Sequence, residues 1–583
     1  MTPVPCIPES APFTAEQRLW LNGYLAGLFS NANLAVPTSM AKAGAPPKSV
    51  TILYGSQTGT AEGLAKKVAH AATQRGCAPR VVCMEKFRDL ELPREERLLV
   101  ITSTYGDGEP PDNARDFWNF LASDNAPKLD QVRYSVLALG DSNYPAFCQF
   151  GKLCDERFTQ LGARCLHARV DCDVDYDAAA QTWTDEVLAS LAETGLDEAS
   201  IPAAETSAET SYSRKNPFSA RLITNRLLSG AASSKEVRHY EISLEGSALD
   251  YEVGDALGVV PANCPALVSD LLAVLGCDGE EAVAVPGVGE TSLRLALSQH
   301  YDICRPSADF LNAVATRSSD AELRALVEPG QRDELKKFLW GREVIDVLAR
   351  VTSMLGATEF VSLLKKLQPR LYSISSSPKA HPGEVHLTIA TVRYEAHGRT
   401  RKGICSTFLA DRCGEPARTP VFVQTSHGFR IPADPQRAMI MVGPGTGVAP
   451  FRAFLEERRA IGAPGRNWLF FGDQRRATDY LYESELEAMR ADGHLSRLDL
   501  AFSRDQADKI YVQNRMLENG PELWSWLENG AHLYVCGDAS RMAKDVDAAL
   551  HQVCETAGSL SEDAAAEYVA KLKAEKRYQR DVY

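Results

Sequence analysis

The sequence lacks the cysteine patterns of metal and disulfide proteins. Its 14 cysteines are spread over 583 residues, with no Cys-x-x-Cys pair and no cluster with histidine. This pattern excludes the common zinc modules and ferredoxin-type iron–sulfur runs, so we expect no metal site in the chain. Disulfide scaffolds are short and rich in cysteine, and the sparse thiols here therefore predict reduced cysteines and a cytoplasmic protein.

Long apolar runs and an excess of basic residues are also missing. No apolar stretch approaches about 18 residues, and the first residues lack the charged-then-apolar order of a signal peptide, so we expect no membrane span. Acidic side chains outnumber basic ones by 77 to 63, which gives a formal charge of −14. A nucleic-acid binder needs a basic face, and nucleic acid is therefore not expected as a partner.

Apolar periodicity divides the chain into segments. A short amphipathic helix is predicted near the amino terminus, where Thr14 and Gln17 have the spacing of a capping box; it docks on its own chain, on a second copy or on a partner. From Ser49, alternating apolar strands and helices predict a doubly wound parallel sheet of five strands. A stretch of small polar residues then predicts a flexible linker.

The second half of the chain changes character. Strands typical of an antiparallel barrel are interrupted by a helical insert over about 264–365, and α/β alternation returns near the end. The predicted fold class is therefore multidomain α/β and β, with a doubly wound sheet, a barrel with a helical insert, and a second nucleotide-binding α/β domain. The predicted boundaries are 1–48 for the helix and tether, 49–195 for the first sheet, 196–216 for the linker, 217–431 for the barrel, and 432–583 for the last domain.

Three loops of the first α/β segment follow predicted strands at their carboxyl ends, where open sheets bind ligands. Residues 55–61 read GSQTGTA, residues 103–108 read STYGDG, and residues 139–144 read LGDSNY. The first loop offers hydroxyls and N–H groups at a helix N-terminus and has no lysine, which indicates a single-phosphate site rather than a Walker-type loop. The other two carry Tyr105 and Tyr144, which are suited to stack on a flat aromatic ligand.

These loops resemble the FMN loops of flavodoxin, in the same order and at the same strand ends. The resemblance implies bound FMN, with its phosphate at residues 56–61 and its ring stacked by the two tyrosines. The implied FMN-binding residues are Ser56, Gln57, Thr58, Gly59, Thr60, Ala61, Ser103, Thr104, Tyr105, Gly106, Leu139, Gly140, Asp141, Ser142, Asn143, Tyr144, Phe147 and Cys148.

Two motifs of the barrel segment suit a flavin dinucleotide. Arg370, Tyr372 and Ser373 offer a guanidinium for a diphosphate, an aromatic face for an isoalloxazine and a hydroxyl for its edge. Residues 403–406 open a predicted helix whose N-terminus suits the other diphosphate charge. With the α/β segment behind them, these motifs resemble the ferredoxin–NADP reductase superfamily, which implies FAD. The implied FAD-binding residues are Arg370, Leu371, Tyr372, Ser373, Thr388, Ile389, Ala390, Tyr394, Gly403, Ile404, Cys405 and Ser406.

The last segment opens with a glycine-rich turn between a strand and a helix. Residues 443–452 read GPGTGVAPFR, which departs from the G-x-G-x-x-G fingerprint and resembles the pyridine-nucleotide domain of the same reductases. Residues 503–513 then offer two cations and hydroxyls for a 2′-phosphate, which predicts NADPH rather than NADH. The predicted nucleotide-binding residues are Gly443, Thr446, Ser503, Arg504, Lys509, Tyr511, Gln513 and Asp538.

A cysteine at another predicted strand end lies in the run YVCGD. A buried, inert thiol is the usual fate of such a cysteine. The resemblance to the reductases instead implies that it lies beside the nicotinamide with a serine and a carboxylate, and that a carboxyl-terminal aromatic residue stacks over FAD. Microsomal cytochrome reductases commonly end in tryptophan, whereas this chain ends in tyrosine. The implied catalytic residues are Ser373, Cys536, Asp581 and Tyr583.

The order of these segments resembles the diflavin reductase family over residues 49–583. The amino-terminal helix, the run WSWLENGAHLYVCGDASRMAKDV and the ending RYQRDVY resemble the flavoprotein subunits of bacterial NADPH-sulfite reductase. This resemblance implies that NADPH reduces FAD, that FAD reduces FMN, and that FMN passes electrons to a separate siroheme/iron–sulfur hemoprotein, which reduces sulfite to sulfide for sulfur assimilation and cysteine biosynthesis. No cysteine pattern for a siroheme or an iron–sulfur cluster is present in this chain.

Two other functions stay open at this point. A soluble diflavin reductase that serves a heme monooxygenase or another cytochrome shares every motif, and a non-catalytic assembly subunit retains the fold with degenerate sites. A homo-oligomer is one of the arrangements that the amino-terminal helix leaves open. Residues 47–200 carry eight of the fourteen net negative charges, which predicts that an electron acceptor docks on this domain through opposite charge.

Overall fold

The computed structural model describes residues 48–583 except 57–58, 106–107, 142–145, 175, 193–211, 329, 351–354, 415–417 and 427. The predicted amino-terminal helix and most of the predicted linker lie outside the described residues. Among those that are described, no helix combines the length and apolarity needed to cross a bilayer.

The first sheet is parallel throughout and has the strand order 2-1-3-4, with β5 and β6 both paired to β4. This is the doubly wound order of flavodoxin-like folds, in which the carboxyl ends of β1 and β3 form the ligand edge. Its strands are β1 (Lys48–Gly55), β2 (Cys77–Cys83), β3 (Arg97–Ser103), β4 (Arg133–Leu139), β5 (Arg164–Cys165) and β6 (Val170–Cys172).

The last of the five predicted strands is divided in two, because the chain leaves the sheet between β5 and β6. His167 and Arg169 turn to the acidic side chains of Glu186 and Asp155, at 3.0 and 2.5 Å. The predicted helices of this segment are confirmed, and they cover both faces of the sheet. They are α1 (Thr60–Gln74), α2 (Arg115–Ala122), α3 (Gln149–Gln160) and α4 (Asp177–Ala192).

The second large sheet is antiparallel, in the order 12-9-16-7-8-13. An isolated bridge between Ile374 and Leu387 connects its two edges, so the sheet closes into a barrel. The strand β13 ends at Thr391, and a separate hairpin begins at Arg393. The strands are β7 (Phe218–Leu227), β8 (Glu236–Ser243), β9 (Ala256–Val259), β12 (Arg370–Ser373), β13 (Glu384–Thr391) and β16 (Arg418–Gln424), with hairpins β10 (Ala282–Val285)–β11 (Gly289–Ser292) and β14 (Arg393–Ala396)–β15 (Arg399–Lys402).

The helical insert has its own apolar core, to which Leu271, Leu297, Phe310 and Phe360 contribute fully or almost fully buried side chains. Burial of this kind lets short helices persist that would be marginal in isolation. The helices of the insert are α5 (Pro265–Leu275), α6 (Leu293–Gln299), α7 (Ala308–Arg317), α8 (Ala321–Leu326), α9 (Arg332–Leu339), α10 (Val344–Leu348) and α11 (Ala357–Ser362); α12 (Ile404–Arg412) belongs to the barrel.

The last sheet is parallel, in the order 19-18-17-20-21. Its fifth strand, β21, is formed by the carboxyl-terminal residues, which the sequence pattern did not indicate as a strand. The strands are β17 (Met439–Val442), β18 (Asn467–Asp473), β19 (Arg497–Phe502), β20 (His532–Gly537) and β21 (Tyr578–Val582). The helices are α13 (Ala449–Ala460), α14 (Arg476–Asp479), α15 (Glu483–Ala491), α16 (Val512–Glu518), α17 (Gly520–Glu528), α18 (Met542–Thr556) and α19 (Glu562–Ala574).

The barrel and the last sheet are joined by buried polar contacts. Tyr482 shares its hydroxyl between His239 Nδ1 at 2.8 Å and Thr388 Oγ1 at 2.6 Å. Arg452 donates to the Ser375 carbonyl at 2.7 Å. These contacts hold α13 and the start of α15 against β8, β13 and the residues that follow β12.

Candidate functional site

The loop after β1 forms an anion-binding turn at the start of α1. Ser56 Oγ accepts a hydrogen bond from the Ala61 backbone N–H at 3.2 Å, and the Ser56 N–H donates to Asn113 Oδ1 at 2.9 Å. Gly59 has a left-handed φ of +88°, which glycine adopts without strain. A hydroxyl beside a helix N-terminus fits the phosphate of FMN. Gln57 and Thr58 lie outside the described residues.

Asn113 is a residue that sequence reasoning missed. It is 57 positions from Ser56 and reaches the loop because the turn before α2 packs beside β1. No local motif could indicate it, since the contact exists only after the sheet forms.

The other two predicted FMN loops lie side by side because β3 and β4 are neighbours. The Thr104 N–H donates to the Leu139 carbonyl at 3.0 Å, and Thr104 Oγ1 accepts from the Phe150 N–H at 3.1 Å. Ser103 Oγ is buried and has no hydrogen-bond partner among the described residues, so it is available to a ligand. Gly106, Ser142, Asn143 and Tyr144 lie outside the described residues.

The side chains of Leu139 and Cys148 face the sheet core and not the ligand edge. Both are at most 5% exposed, and the Cys148 thiol lies 3.4 Å from the Ala138 carbonyl. Burial raises the pKa of this thiol. A Cβ at Gly140 would come within 2.7 Å of the Cys148 backbone nitrogen, so this turn requires glycine. Leu139 and Cys148 can therefore contact a cofactor only through their backbone atoms.

In the barrel, β12 places its residues at the edge of the sheet. Arg370 is partly buried, donates to the Gln368 carbonyl at 2.9 Å and lies 4.0 Å from Asp302. Leu371 is 52% exposed, which is unusual for leucine and leaves an open apolar surface beside Tyr372. Burial raises the pKa of the Tyr372 hydroxyl well above its ordinary value, so the ring is neutral. An aromatic face beside a guanidinium fits FAD.

The start of α12 is closely packed. A Cβ on Gly403 would lie 2.6 Å from Ser406 Oγ and 2.8 Å from the Val392 side chain, so glycine is required at the helix N-terminus. Ser406 Oγ accepts from the Val392 N–H at 3.1 Å. Cys405 is buried in the barrel core, where burial raises its pKa to about 12. Ile404 lines a cavity of about 280 Å³ beside this helix, which the cations Arg399, Lys402 and Arg412 also line.

Two of the residues predicted on β13 point away from any open site. Thr388 is 5% exposed and bonds Tyr482, and Ile389 is 3% exposed in the barrel core, whereas Ala390 is exposed. Residues 385–389 of β13 are all buried, so both faces of the strand are covered here. Tyr394 is 43% exposed and its ring centroid lies 6.0 Å from that of Trp340, which is 67% exposed. Trp340 is a second residue that the sequence analysis missed, and the pair offers aromatic faces for an adenine.

The glycine-rich turn after β17 packs so closely on itself and on β20 that two of its positions require glycine. A Cβ at Gly443 would lie 2.5 Å from the Gly447 carbonyl oxygen, and one at Gly447 would lie 2.2 Å from that of Cys536. Gly445 has a left-handed φ of +58°. The turn therefore brings backbone N–H groups and Thr446 directly over the carboxyl end of β20, as a nucleotide diphosphate site needs.

The predicted 2′-phosphate residues lie in the loop that follows β19 and at the start of α16. The Ser503 and Arg504 N–H groups donate to Asp473 and Gln474 carbonyls at 2.9 and 2.8 Å, which fixes the loop. Within the described part of the chain, the Arg504 and Lys509 side chains have no ion-pair partner. The other members are Tyr511, which is 44% exposed, and Gln513, which bonds Asp545 at 3.1 Å.

Asp538 caps the turn before α18 and is already engaged. It accepts hydrogen bonds from the Ser540 N–H and hydroxyl and from the Arg541 N–H at 2.7–3.1 Å. Burial favours the neutral acid, but the Ser540 hydrogen bonds outweigh it and hold the pKa of Asp538 below its ordinary value. The Asp538 side chain therefore stabilises the loop after β20 by accepting hydrogen bonds from Ser540 and Arg541 of that loop.

The four predicted catalytic residues come together from three strands. Ser373 Oγ, at the end of β12, donates to Asp581 Oδ2 at 2.6 Å, and Cys536 Sγ, on β20, lies 3.8 Å from the same oxygen. Burial raises the pKa of the Asp581 carboxyl, although the hydrogen bonds from Ser373 and Cys536 oppose the rise. Burial and the nearby carboxylate raise the pKa of Cys536 well above its ordinary value. The thiol is therefore an S–H donor at neutral pH.

Tyr583 is attached to the same edge by its backbone. Its N–H donates to the Gly537 carbonyl and its carbonyl accepts from the Ala539 N–H, both at 3.1 Å. The hydroxyl lies 3.0 Å from Thr446 Oγ1, and the ring is 63% exposed. An exposed aromatic ring held over a buried polar cluster is suited to cover a flat cofactor and to be displaced from it.

Comparisons with known proteins match all three sheets. A flavodoxin family model matches residues 52–183, an FAD-binding domain model matches 210–408, and an oxidoreductase NAD-binding domain model matches 441–548. The chain is 47% identical over 580 residues to the sulfite reductase (NADPH) flavoprotein alpha-component of Bacillus subtilis, covering 98% of this chain and 96% of the relative. It is 42% and 44% identical to the proteins of the same name from Vibrio parahaemolyticus and Neisseria meningitidis, covering 98% of this chain and 93% and 95% of the relatives.

Proposed function

The chain belongs to the family of sulfite reductase (NADPH) flavoprotein alpha-components, and we propose that it oxidises NADPH and delivers the electrons to a separate siroheme/iron–sulfur hemoprotein that reduces sulfite to sulfide. The observation that carries this proposal is the convergence of Ser373, Cys536 and Asp581 beneath Tyr583, where the barrel meets the last sheet.

Bound FMN and FAD supply the hydride acceptor and the carriers that pass electrons one at a time. The chain itself supplies position and polarity. Asp581 accepts from Ser373 at 2.6 Å, with Cys536 Sγ 3.8 Å from the same oxygen, so these dipoles are fixed before the nicotinamide arrives. The raised pKa of Cys536 keeps its thiol protonated and prevents a competing nucleophile from forming.

Tyr583 has the second role, that of a movable cover. Its ring is largely exposed and is held by one hydroxyl contact, whereas its backbone is held by two hydrogen bonds. The ring leaves the site when the Thr446 contact and the two backbone hydrogen bonds of Tyr583 break, while residues 578–581 of β21 stay paired with β20. Thr446 gains a free hydroxyl when this happens, beside the glycine-rich turn.

Arg504 and Lys509 support the choice of NADPH. A 2′-phosphate carries the negative charge that two cations without ion-pair partners in the described chain are suited to bind. Trp340 and Tyr394 support FAD as the dinucleotide flavin, since a mononucleotide has no adenine to stack on their exposed faces.

We propose that the protein acts in the cytoplasm, in sulfur assimilation and cysteine biosynthesis. The amino-terminal helix is proposed to join copies of the chain, and residues 196–216 to link the FMN domain to the rest. Removal of residues 1–47 is expected to lower the oligomeric state measured by analytical ultracentrifugation without loss of flavin. An unchanged sedimentation coefficient, beyond the lost mass, contradicts the role of the helix.

The central experiment measures sulfide formation from NADPH and sulfite by the purified chain and a siroheme hemoprotein. We expect one FMN and one FAD per chain, and sulfide only when both proteins are present. A matched arm replaces the hemoprotein with a heme monooxygenase. Electron delivery to the monooxygenase without sulfide formation in the first arm overturns the proposal, and a purified chain that binds no flavin indicates an assembly subunit instead.

A further inference from the structure

The FMN module (residues 48–192) contacts the carboxyl-terminal strand. The Tyr105 hydroxyl donates to the Val582 carbonyl oxygen at 3.1 Å, across 477 positions of sequence. Tyr105 lies in the loop after β3, at the ligand edge of the first sheet, and Val582 is the last residue of β21. The contact therefore joins the proposed FMN loop directly to the residue that precedes Tyr583.

Opposite charges accompany this hydrogen bond. Glu109 lies 3.5 Å from Lys544, and two backbone hydrogen bonds of 2.8 and 2.9 Å tie Glu109 to Tyr105, so both contacts come from one turn. Burial raises the pKa of Glu85, and Lys573 and Lys576 of the last domain are among the charges that oppose the rise. Three lysines of the last domain, Lys544, Lys573 and Lys576, thus lie near acidic side chains of the FMN module.

The hydrogen bond from Tyr105 bears on the position of the Tyr583 backbone, because Val582 directly precedes Tyr583. The Val582 carbonyl and the Tyr583 N–H belong to one peptide group, which is planar and turns as a unit. The Tyr583 N–H donates to the Gly537 carbonyl, so the two hydrogen bonds hold this peptide group from both sides. Displacing the Tyr583 ring through its backbone breaks the contact with Tyr105.

We infer that Tyr105 is a positioning residue for the carboxyl-terminal tail, so that docking of the FMN module holds Tyr583 in place and opposes entry of the nicotinamide. This inference rests on the proposed function, in which Tyr583 must move aside for NADPH. Coupling between two binding events is reciprocal: if docking weakens nucleotide binding, the nucleotide weakens docking by the same factor. The chain would then alternate between accepting electrons and passing them to FMN.

The test compares the full-length, flavin-loaded protein with its Tyr105→Phe variant, which keeps the ring and removes one hydroxyl. Loss of one neutral hydrogen bond corresponds to about a 2- to 10-fold change in an equilibrium constant. We expect hydrogen–deuterium exchange in the carboxyl-terminal peptide to become faster by about that factor without nucleotide, and NADP⁺ to bind about 2- to 10-fold more tightly by calorimetry. Lys544→Ala is expected to act in the same direction.

Tyr134→Phe is the matched control. Its hydroxyl bonds Asp155 and Thr159 inside the FMN module and lies away from the tail, so tail exchange and NADP⁺ affinity are expected to stay at wild-type values. Wild-type exchange and affinity in a Tyr105→Phe protein that retains FMN overturn the inference and leave the proposed function intact. If the Tyr105→Phe variant loses FMN, the Lys544→Ala variant provides the test. Unchanged hydrogen–deuterium exchange of its carboxyl-terminal peptide then overturns the inference. Failure of the wild-type protein to support sulfide formation overturns only the proposed function.

Discussion

Cys536 and Asp581 are register partners on the adjacent parallel strands β20 and β21, with Sγ 3.8 Å from Oδ2. The carboxylate also accepts from Ser373, which belongs to a different sheet. One buried oxygen atom therefore connects the barrel to the last domain at the point where the nicotinamide and the flavin are proposed to meet.

Cys536→Ala is expected to slow flavin reduction by NADPH about tenfold in stopped-flow experiments, with both flavins still bound. The variant removes a donor that is fixed in place before the reaction, a class of contact that contributes a few kcal/mol to transition-state stabilisation at most. Cys554→Ala is the matched control, because Cys554 is buried in the same domain but packs in the core behind β20. Equal rates for the two variants contradict a role for the Cys536 thiol.

Replacing both Arg504 and Lys509 with alanine is expected to raise KM for NADPH at least tenfold and to leave KM for NADH unchanged. The two cations have no ion-pair partner in the described chain, so their loss is expected to remove only the proposed contact with the 2′-phosphate. Arg490→Ala, on the exposed face of α15 with Glu487 as its partner at 3.5 Å, controls for lost surface charge. Parallel rises in both KM values contradict the assignment.

The junction between barrel and last sheet is expected to weaken in acid. Burial lowers the pKa of His239 and of His386 to about 3, and the nearby charges of Arg452 and His381 add to the effect on both. Below the ordinary histidine pKa of about 6.5, the unfolded chain binds protons that the folded chain does not, so stability falls as pH drops from about 6.5 towards 3, by up to about 1.4 kcal/mol per pH unit for each residue.

Thermal unfolding between pH 7 and 5 tests this expectation. His386→Gln removes one of the two groups, and its midpoint temperature is expected to fall less steeply with acid than that of the wild type. His551→Gln, at a more exposed position on α18, is expected to follow the wild-type slope. Identical slopes for all three proteins show that His386 does not titrate between the folded and unfolded states in this range.

Electron delivery to the hemoprotein is expected to slow as salt rises. The acidic residues of the first domain attract a basic partner, and the screening length shrinks from about 10 Å at 0.1 M to about 3 Å at 1 M salt. The measurement follows hemoprotein reduction by the pre-reduced chain, with an uncharged quinone as the control acceptor. A hemoprotein rate that stays constant from 0.05 to 0.5 M salt contradicts electrostatic docking.

The sequence by itself determined the three-part order and the ligand edges. Apolar strands followed by Ser, Gly and Tyr loops are local patterns, and they place the loops at 55–61, 103–105 and 443–447 whatever the rest of the chain does. The glycines of this last loop indicate a tight turn between a strand and a helix, although the contact that requires glycine at 447 comes from Cys536 on β20 and is seen only in the fold.

Only the tertiary structure decided which distant residues meet. Strand pairing alone brings Asp581 beside Cys536, and packing of two domains alone brings Ser373 to the same oxygen. Contacts between residues far apart in sequence also place Thr388 beside Tyr482, Asn113 beside Ser56, and Trp340 beside Tyr394. A sequence pattern reports a residue's near neighbours along one element, whereas these contacts depend on the order of strands in a sheet and on the faces that two domains bury together.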